Sequence, residues 1–433
     1  MSWTTPRPDV RGPFRLLRRS PDLRLLLGAG LVSVTGDWVL GIGLTYAVYA
    51  LTGSTLASAA ALLAGFLPQV VVGSVAGVFV DRWDRKRTMI VANLLLSVGL
   101  LPLLLVDGGG RIWLVYVVFG FEAVGAVFFA PAEQAMLPRV VPDEDLMAAN
   151  GLNSQVQNAC RLVGGGLGGM VAAVGGITAI TVVDVASFLV AALLLSRISV
   201  SGRPEPPSPD ENGPEVVRGR FAHLAEEWRV GLRTTWSSRV LRVLVAVMLI
   251  TSTGEGIMGS LFAPFVRHVL HGGAPIFGLI SGIQAVGGVV GGFLVATVAA
   301  RWSAVRMLAF GAVVFGLVDL AIFLYPLLWV TPWPAVAGMT LVGVPGAVVM
   351  SGLMTLFQRH TTDDRRGRVF SLVFMARSVT LTVGALIAGF LGGSIGIVPI
   401  LALQGVGYVV AGVVVILMLD RSADRAPETA SLH

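Results

Sequence analysis

Twelve stretches of about 20 or more predominantly apolar residues, separated by polar gaps, constrain this chain more than any other feature. They cover residues 23–51, 57–80, 88–107, 112–131, 147–173, 177–196, 240–268, 275–299, 304–325, 333–357, 367–392 and 396–419. About 20 residues in an α-helix cross the hydrocarbon layer of a bilayer, and in lipid only a helix or a closed barrel satisfies its own backbone hydrogen bonds. The runs are continuous and do not alternate apolar with polar residues, which excludes an outer-membrane barrel. Charged residues make up only 13% of the chain, against about 25% in a soluble domain, so a soluble enzyme is excluded as well. The 54 glycines sit inside the apolar runs with no three-residue period, which rules out a collagen-like or disordered chain. The expectation is an all-α integral membrane protein with twelve transmembrane helices.

Charge placement gives an orientation. The net charge of +6 does not mark a nucleic-acid partner, because the basic residues are not gathered on one soluble domain. Of the 31 Lys and Arg, 25 fall in the two terminal segments and in alternate gaps, near 82–87, 139, 197–239, 301–306 and 359–368. Positive charge is retained on the cytoplasmic side, so both termini are expected in the cytoplasm of a multi-pass protein of the inner (plasma) membrane. The first apolar run is too long for the h-region of a signal peptide and reads as the first span. The single cysteine, Cys160, lies within a span and reads as a small packed residue.

The spans divide six and six. The longest gap holds a Pro-rich, charged linker from Gly202 to Pro214, followed by Phe221 to Trp236 with apolar residues at helical spacing, which reads as a helix on the membrane surface or a solvated linker helix. The expected units are a tail at 1–22, a bundle at 23–196, a linker at 197–239, a second bundle at 240–419 and a tail at 420–433. An internal repeat supports the division. Ser33-Val-Thr-Gly-Asp37 matches Thr251-Ser-Thr-Gly-Glu255 at an offset of 218, Arg82-Trp83 matches Arg301-Trp302 at 219, and Gly164 and Gly169 match Gly384 and Gly389 at 220. Parallel repeats with a midplane binding site are one architecture of secondary transporters. The expected fold is thus two pseudo-symmetric six-helix bundles around a cavity.

Between the second and third spans the chain reads Gly77-Val-Phe-Val-Asp81-Arg82-Trp-Asp-Arg85-Lys86-Arg87, which closely resembles the loop signature of the major facilitator superfamily. The sequence Pro131-Ala-Glu133, with Leu137-Pro-Arg-Val-Val-Pro and Leu146-Met-Ala-Ala-Asn-Gly151, resembles the drug-exporting branch that includes macrolide efflux permeases and siderophore exporters. The resemblance implies a conformational latch at Gly77, Asp81, Arg82, Arg85 and Lys86, in which Asp81 pairs across the cytoplasmic face. The second copy carries Ala300 where Asp81 aligns, so the latch is expected to be asymmetric. Two departures stand out: span four carries Glu122 and no Arg, and span five has Gly165 where related exporters carry Pro.

Ionisable residues inside spans mark function, because each costs on the order of 3 kcal/mol at the bilayer centre. In the superfamily, spans one, four, seven and ten line the cavity. Asp37, Glu122 and Glu255 fall on these spans and are the proton-coupling candidates, since a carboxyl removed from water favours its protonated form. Asp184 and Asp319 lie on peripheral spans and read as structural. Asn150, Asn153, Gln157 and Arg161 form a polar stripe at spacings of three and four, and Gln157 aligns with Arg377 at an offset of 220. Gln157, Arg161, Gln284 and Arg377, with Trp38, Tyr46, Phe121, Met258 and Phe262, are the candidates for lining a substrate cavity.

No phosphate-binding loop and no zinc-type histidine spacing occurs, so no cofactor or metal is expected and the chain is not expected to be an enzyme. The reading is a secondary active transporter exporting hydrophobic or amphipathic small molecules by alternating access, with protons as coupling ion, a lipid bilayer as surroundings and a monomer as the working unit. A siderophore, metabolite or lysolipid permease on the same fold is the alternative. A non-transporting membrane receptor or assembly factor is the rival from another class.

Overall fold

The computed structural model describes residues 13–80, 83–203, 232–233, 235–298, 302–361 and 363–419, and among the described residues it is helical with no strand. A short helix α1 (Pro13–Arg19) precedes α2 (Pro21–Thr52), α3 (Thr55–Val80), α4 (Arg85–Gly99), α5 (Trp113–Val140) and α6 (Leu146–Ser196). The second half holds α7 (Arg239–Pro264), α8 (Ala274–Val298), α9 (Ala304–Leu324), α10 (Trp333–His360), α11 (Asp363–Leu391) and α12 (Ile397–Met418).

A straight helix with the 51 residues of α6 would be about 76 Å long, more than twice the thickness of a hydrocarbon layer. The chain breaks at Gly175 and Gly176 instead, and Gly176 takes φ 58° and ψ −148°, a conformation essentially confined to glycine. The arms on either side run in opposite directions along α2. Gly164 and Gly168 approach Thr35 and Val39 in rising order, whereas Asp184 and Leu194 approach Gly36 and Gly28 in falling order. Spans five and six are therefore the two arms of α6. Among the described residues nine helices are long and apolar enough to cross a membrane, and Thr55–Pro68 and Met375–Leu391 are shorter apolar stretches of α3 and α11. Dividing α6 completes the set of twelve.

The repeat is visible in the packing and in the helix starts. Ser20 caps α2 by accepting from the Leu23 amide at 3.1 Å, and Ser238, at the matching position, caps α7 by accepting from Leu241 at 3.3 Å. Asp84 and Ser303 cap α4 and α9 in the same way, at 3.1 and 3.3 Å. In each half the first span packs against the fifth and sixth: α2 on both arms of α6, and α7 on α11 and α12. A Cβ on Gly164 would meet the Thr35 carbonyl, and one on Gly384 would meet the Thr253 carbonyl, so the same close crossing recurs in both halves. Cys160 is buried and its thiol donates to the Leu31 carbonyl at 3.4 Å.

Contacts between the halves gather at the end of the bundle that carries the turns at 53–54, 175–176, 271–273 and 392–396. There α6 crosses α8 with Gly165 against Gly282 and Gly169 against Ala274 and Gly278. The symmetric crossing of α3 with α11 places Gly389 against Leu56 and Ala59, and the Thr55 hydroxyl donates to the Gly389 carbonyl at 2.9 Å. Aromatic side chains fill the space between the crossings: Tyr46 lies 5.7 Å from Phe277, Phe262 lies 5.8 Å from Phe277, and Tyr49 meets His268 edge-on at 5.3 Å.

At the other end, the Lys86 ammonium donates to the Ile198 carbonyl at 2.6 Å and the Arg85 amide donates to the Gly202 carbonyl at 2.9 Å. The loop between spans two and three is thereby tied to the exit of span six. Of the latch residues, Asp81 and Arg82 lie outside the described residues, and Gly77 is described only as part of the α3 backbone. The linker beyond Arg203 and most of the segment Phe221 to Trp236 also lie outside them.

Candidate functional site: a central cavity and a buried acid trio

Where the halves part below the aromatic cluster, they enclose a cavity of about 560 Å³, within the range of small-molecule sites. Its walls hold Trp38, Arg161, Glu255, Met258, Phe262, Gln284 and Arg377, seven of the residues singled out in the sequence. The charged groups come from equivalent spans. Glu255, in the middle of α7, accepts from the Arg377 guanidinium of α11 at 2.6 Å, and each side chain is about one-third exposed to the cavity. The Tyr408 hydroxyl of α12 donates to the other Glu255 oxygen at 3.4 Å. Behind them the Gln404 amide donates to Asp319 at 2.9 Å and reaches the Met258 sulfur at 3.4 Å, so the buried Asp319 is held by a neutral donor.

Arg161 stands across the cavity. Its guanidinium donates to the Gln284 carbonyl oxygen at 2.7 Å and lies 5.7 Å from the centre of the Trp38 ring. Among the described residues it makes no ion pair. The lining thus carries two guanidinium groups and one carboxylate.

The other candidates lie elsewhere. Tyr46 belongs to the aromatic cluster at the closed end, where its hydroxyl donates to the Gly272 carbonyl at 3.4 Å. Gln157 is half-buried one helical turn before Arg161. Phe121 is 41% exposed and packs beside Gly99, in an outward groove between α4 and α5 and away from the central cavity.

Asp37 and Glu122 meet a residue that the sequence reading had set aside. Asp37 of α2, Glu122 of α5 and Asp184 of the second arm of α6 bring carboxylate oxygens within 4.8 Å of one another. Asp184 is fully buried and accepts from the Ser187 hydroxyl at 2.9 Å through one oxygen. Its other oxygen and one oxygen of Asp37 are buried with no hydrogen-bond partner among the described residues. The repeat held a signal for Asp184, since it aligns with Gln404 at an offset of 220. Tyr408 had none, because a tyrosine in a peripheral span looks like a residue facing lipid.

Two bundles related by parallel repeats, a cavity at mid-depth between them and a seal at one end define a secondary transporter of the major facilitator type. A family model described as transmembrane secretion effector matches residues 13–433, and the chain belongs to that family of the major facilitator superfamily. It is 24% identical over 370 residues to macrolide efflux protein A of Streptococcus pyogenes, covering 84% of this chain and 88% of that one. It is 27% identical over 418 residues to the multidrug efflux pump Tap of Mycobacterium bovis, covering 93% and 95% of the two chains. The fold is similar to that of a POT family transporter solved with a thioalcohol-conjugated peptide, with a TM-score of 0.71 at 11% identity over 91% of this chain and 95% of that one.

Proposed function

We propose that the protein exports hydrophobic or amphipathic small molecules from the cytoplasm by alternating access, coupled to the inward flow of protons. The observation that carries this reading is the cavity, whose walls of Trp38, Met258, Phe262 and Phe277 offer apolar contact around a single mid-depth ion pair, Glu255 with Arg377. Relatives named for macrolide and multidrug efflux support the direction and the substrate class. With both termini in the cytoplasm of the inner (plasma) membrane, the closed end faces outward and the arrangement is inward-facing. Glu255 is the coupling carboxylate. A proton on Glu255 cancels its charge and releases Arg377, so a proton and a substrate compete for the same pair of spans, seven and eleven. A monomer contains both halves and the whole cavity.

The test is flux in proteoliposomes with an imposed pH gradient, over a panel that includes a macrolide. Gradient-driven flux is expected for wild type and a loss of gradient dependence for Glu255→Gln. Flux unchanged by Glu255→Gln removes the carboxylate assignment, and no driven flux of any compound favours a receptor over a transporter.

A second reading of the substrate rests on Arg161. With Glu255 already paired, its guanidinium is the surplus charge of the cavity, which favours substrates bearing an acidic group, as a siderophore or lysolipid does.

A further inference from the structure

The two halves treat their buried acids differently. In the second half each has a donor: Arg377 and Tyr408 for Glu255, and Gln404 for Asp319. In the first half the positions that align with Arg377 and Gln404 are Gln157 and Asp184. The place of a neutral donor is therefore taken by a third carboxylate, and no Arg or Lys is bonded to Asp37, Glu122 or Asp184 among the described residues. Three carboxylates at this spacing in a medium of low dielectric repel one another strongly. Two of their oxygens, one on the fully buried Asp184 and one on Asp37, are buried with no hydrogen-bond partner among the described residues. Protons on the carboxyls or a compact cation shared by them relieve that repulsion.

We infer that Asp37, Glu122 and Asp184 form a binding site for a divalent cation of calcium's size, which clamps spans one, four and six of the N-terminal half. The donors are all hard oxygens, the type that calcium takes at about 2.3–2.6 Å. Oxygens within 4.8 Å of one another can share one ion at such a distance. Three carboxylates supply up to six oxygens if bidentate, and water beside the partly buried Asp37 and Glu122 can fill the remaining positions. Magnesium, with shorter bonds and a stricter octahedron, suits a site of this span less well. With all three carboxyls ionised, a charge of +2 offsets most of their negative charge, which sodium does not. This site is separate from the cavity and from Glu255, so it does not rest on the coupling role given to that residue.

The test uses the full chain in lipid nanodiscs, stripped with chelator and titrated with calcium, magnesium or sodium chloride at matched ionic strength, read by thermal unfolding and by calorimetry. Calcium is expected to bind with one ion per chain and to raise Tm. Asp184→Asn and Asp37→Asn are each expected to weaken calcium binding by about tenfold or more, since perturbing even an outer partner of a metal site costs that much. Glu255→Gln should keep the calcium response while losing gradient-driven flux, which separates failure of this site from failure of the transport reading. A wild-type protein that is folded but indifferent to calcium, an equal response to sodium, or a calcium response that survives Asp184→Asn would overturn the inference.

Discussion

Glu255 and Asp37 occupy matching positions in the two halves and keep opposite company. Glu255 faces the cavity with Arg377 and Tyr408 bonded to it, whereas Asp37, next in sequence to the cavity residue Trp38, turns toward two further acids. The match in sequence was legible and the difference in company was not, because the partners come from spans far apart in the chain. Asp319, which reads from the sequence as a structural acid, accepts from Gln404. Replacing that donor by Gln404→Leu leaves a buried carboxyl without a partner, at a cost of about 1–3 kcal/mol, and a lower Tm in nanodiscs is the expected outcome. Arg161→Gln removes the surplus charge of the cavity. If acidic groups are recognised there, flux of an acidic amphipath should fall roughly tenfold, the equivalent of about 1.4 kcal/mol, while flux of a neutral one changes little.

Most helix boundaries followed the apolar runs closely, although α5 continues to Val140, past the run at 112–131, and α4 ends at Gly99, before the run at 88–107 does. The run at 23–51 corresponds to Pro21–Thr52 and the run at 396–419 to Ile397–Met418, because leaving lipid and ending the helix are the same event for most spans. Two other exceptions have local causes. Pro264 ends α7 and the chain continues as a π-helical turn from Phe265 to Val269, so the seventh apolar run outlasts its α-helix. Spans five and six meet at Gly175 and Gly176 with so little loop that they form one broken element. Of the glycines of span five, Gly164 and Gly168 pack against α2, whereas Gly165 and Gly169 pack against α8 of the other half. Gly169→Leu would place a side chain where a Cβ already comes within 2.2 Å of the Ala274 carbonyl oxygen. Spans five and eight would have to separate, so export should fall at least about tenfold, at an overpacking cost of about 1–3 kcal/mol, while the variant still reaches the membrane. Export rate normalised to membrane content checks this.

On the scale of the molecule, the two crossings α6 with α8 and α3 with α11 close one end, and transport requires that they part. Leu56 and Gly389 face each other at the second crossing, within the reach of a disulfide. The double variant Leu56→Cys with Gly389→Cys is expected to lose nearly all transport under oxidation and to recover it on reduction. Unimpaired flux in a cross-linked sample would show that this end does not open. The sequence alone determined the membrane-spanning class, the number of spans, the twofold repeat and which polar residues stay inside the apolar runs, because hydrophobic length, helical period and repeat offset are properties of the chain read in order. Only the tertiary structure decided which acid meets an arginine and which meets two other acids, and which end of the bundle is closed. Those outcomes depend on side chains more than a hundred residues apart arriving at the same depth, and no local pattern records where a distant helix will turn its polar face.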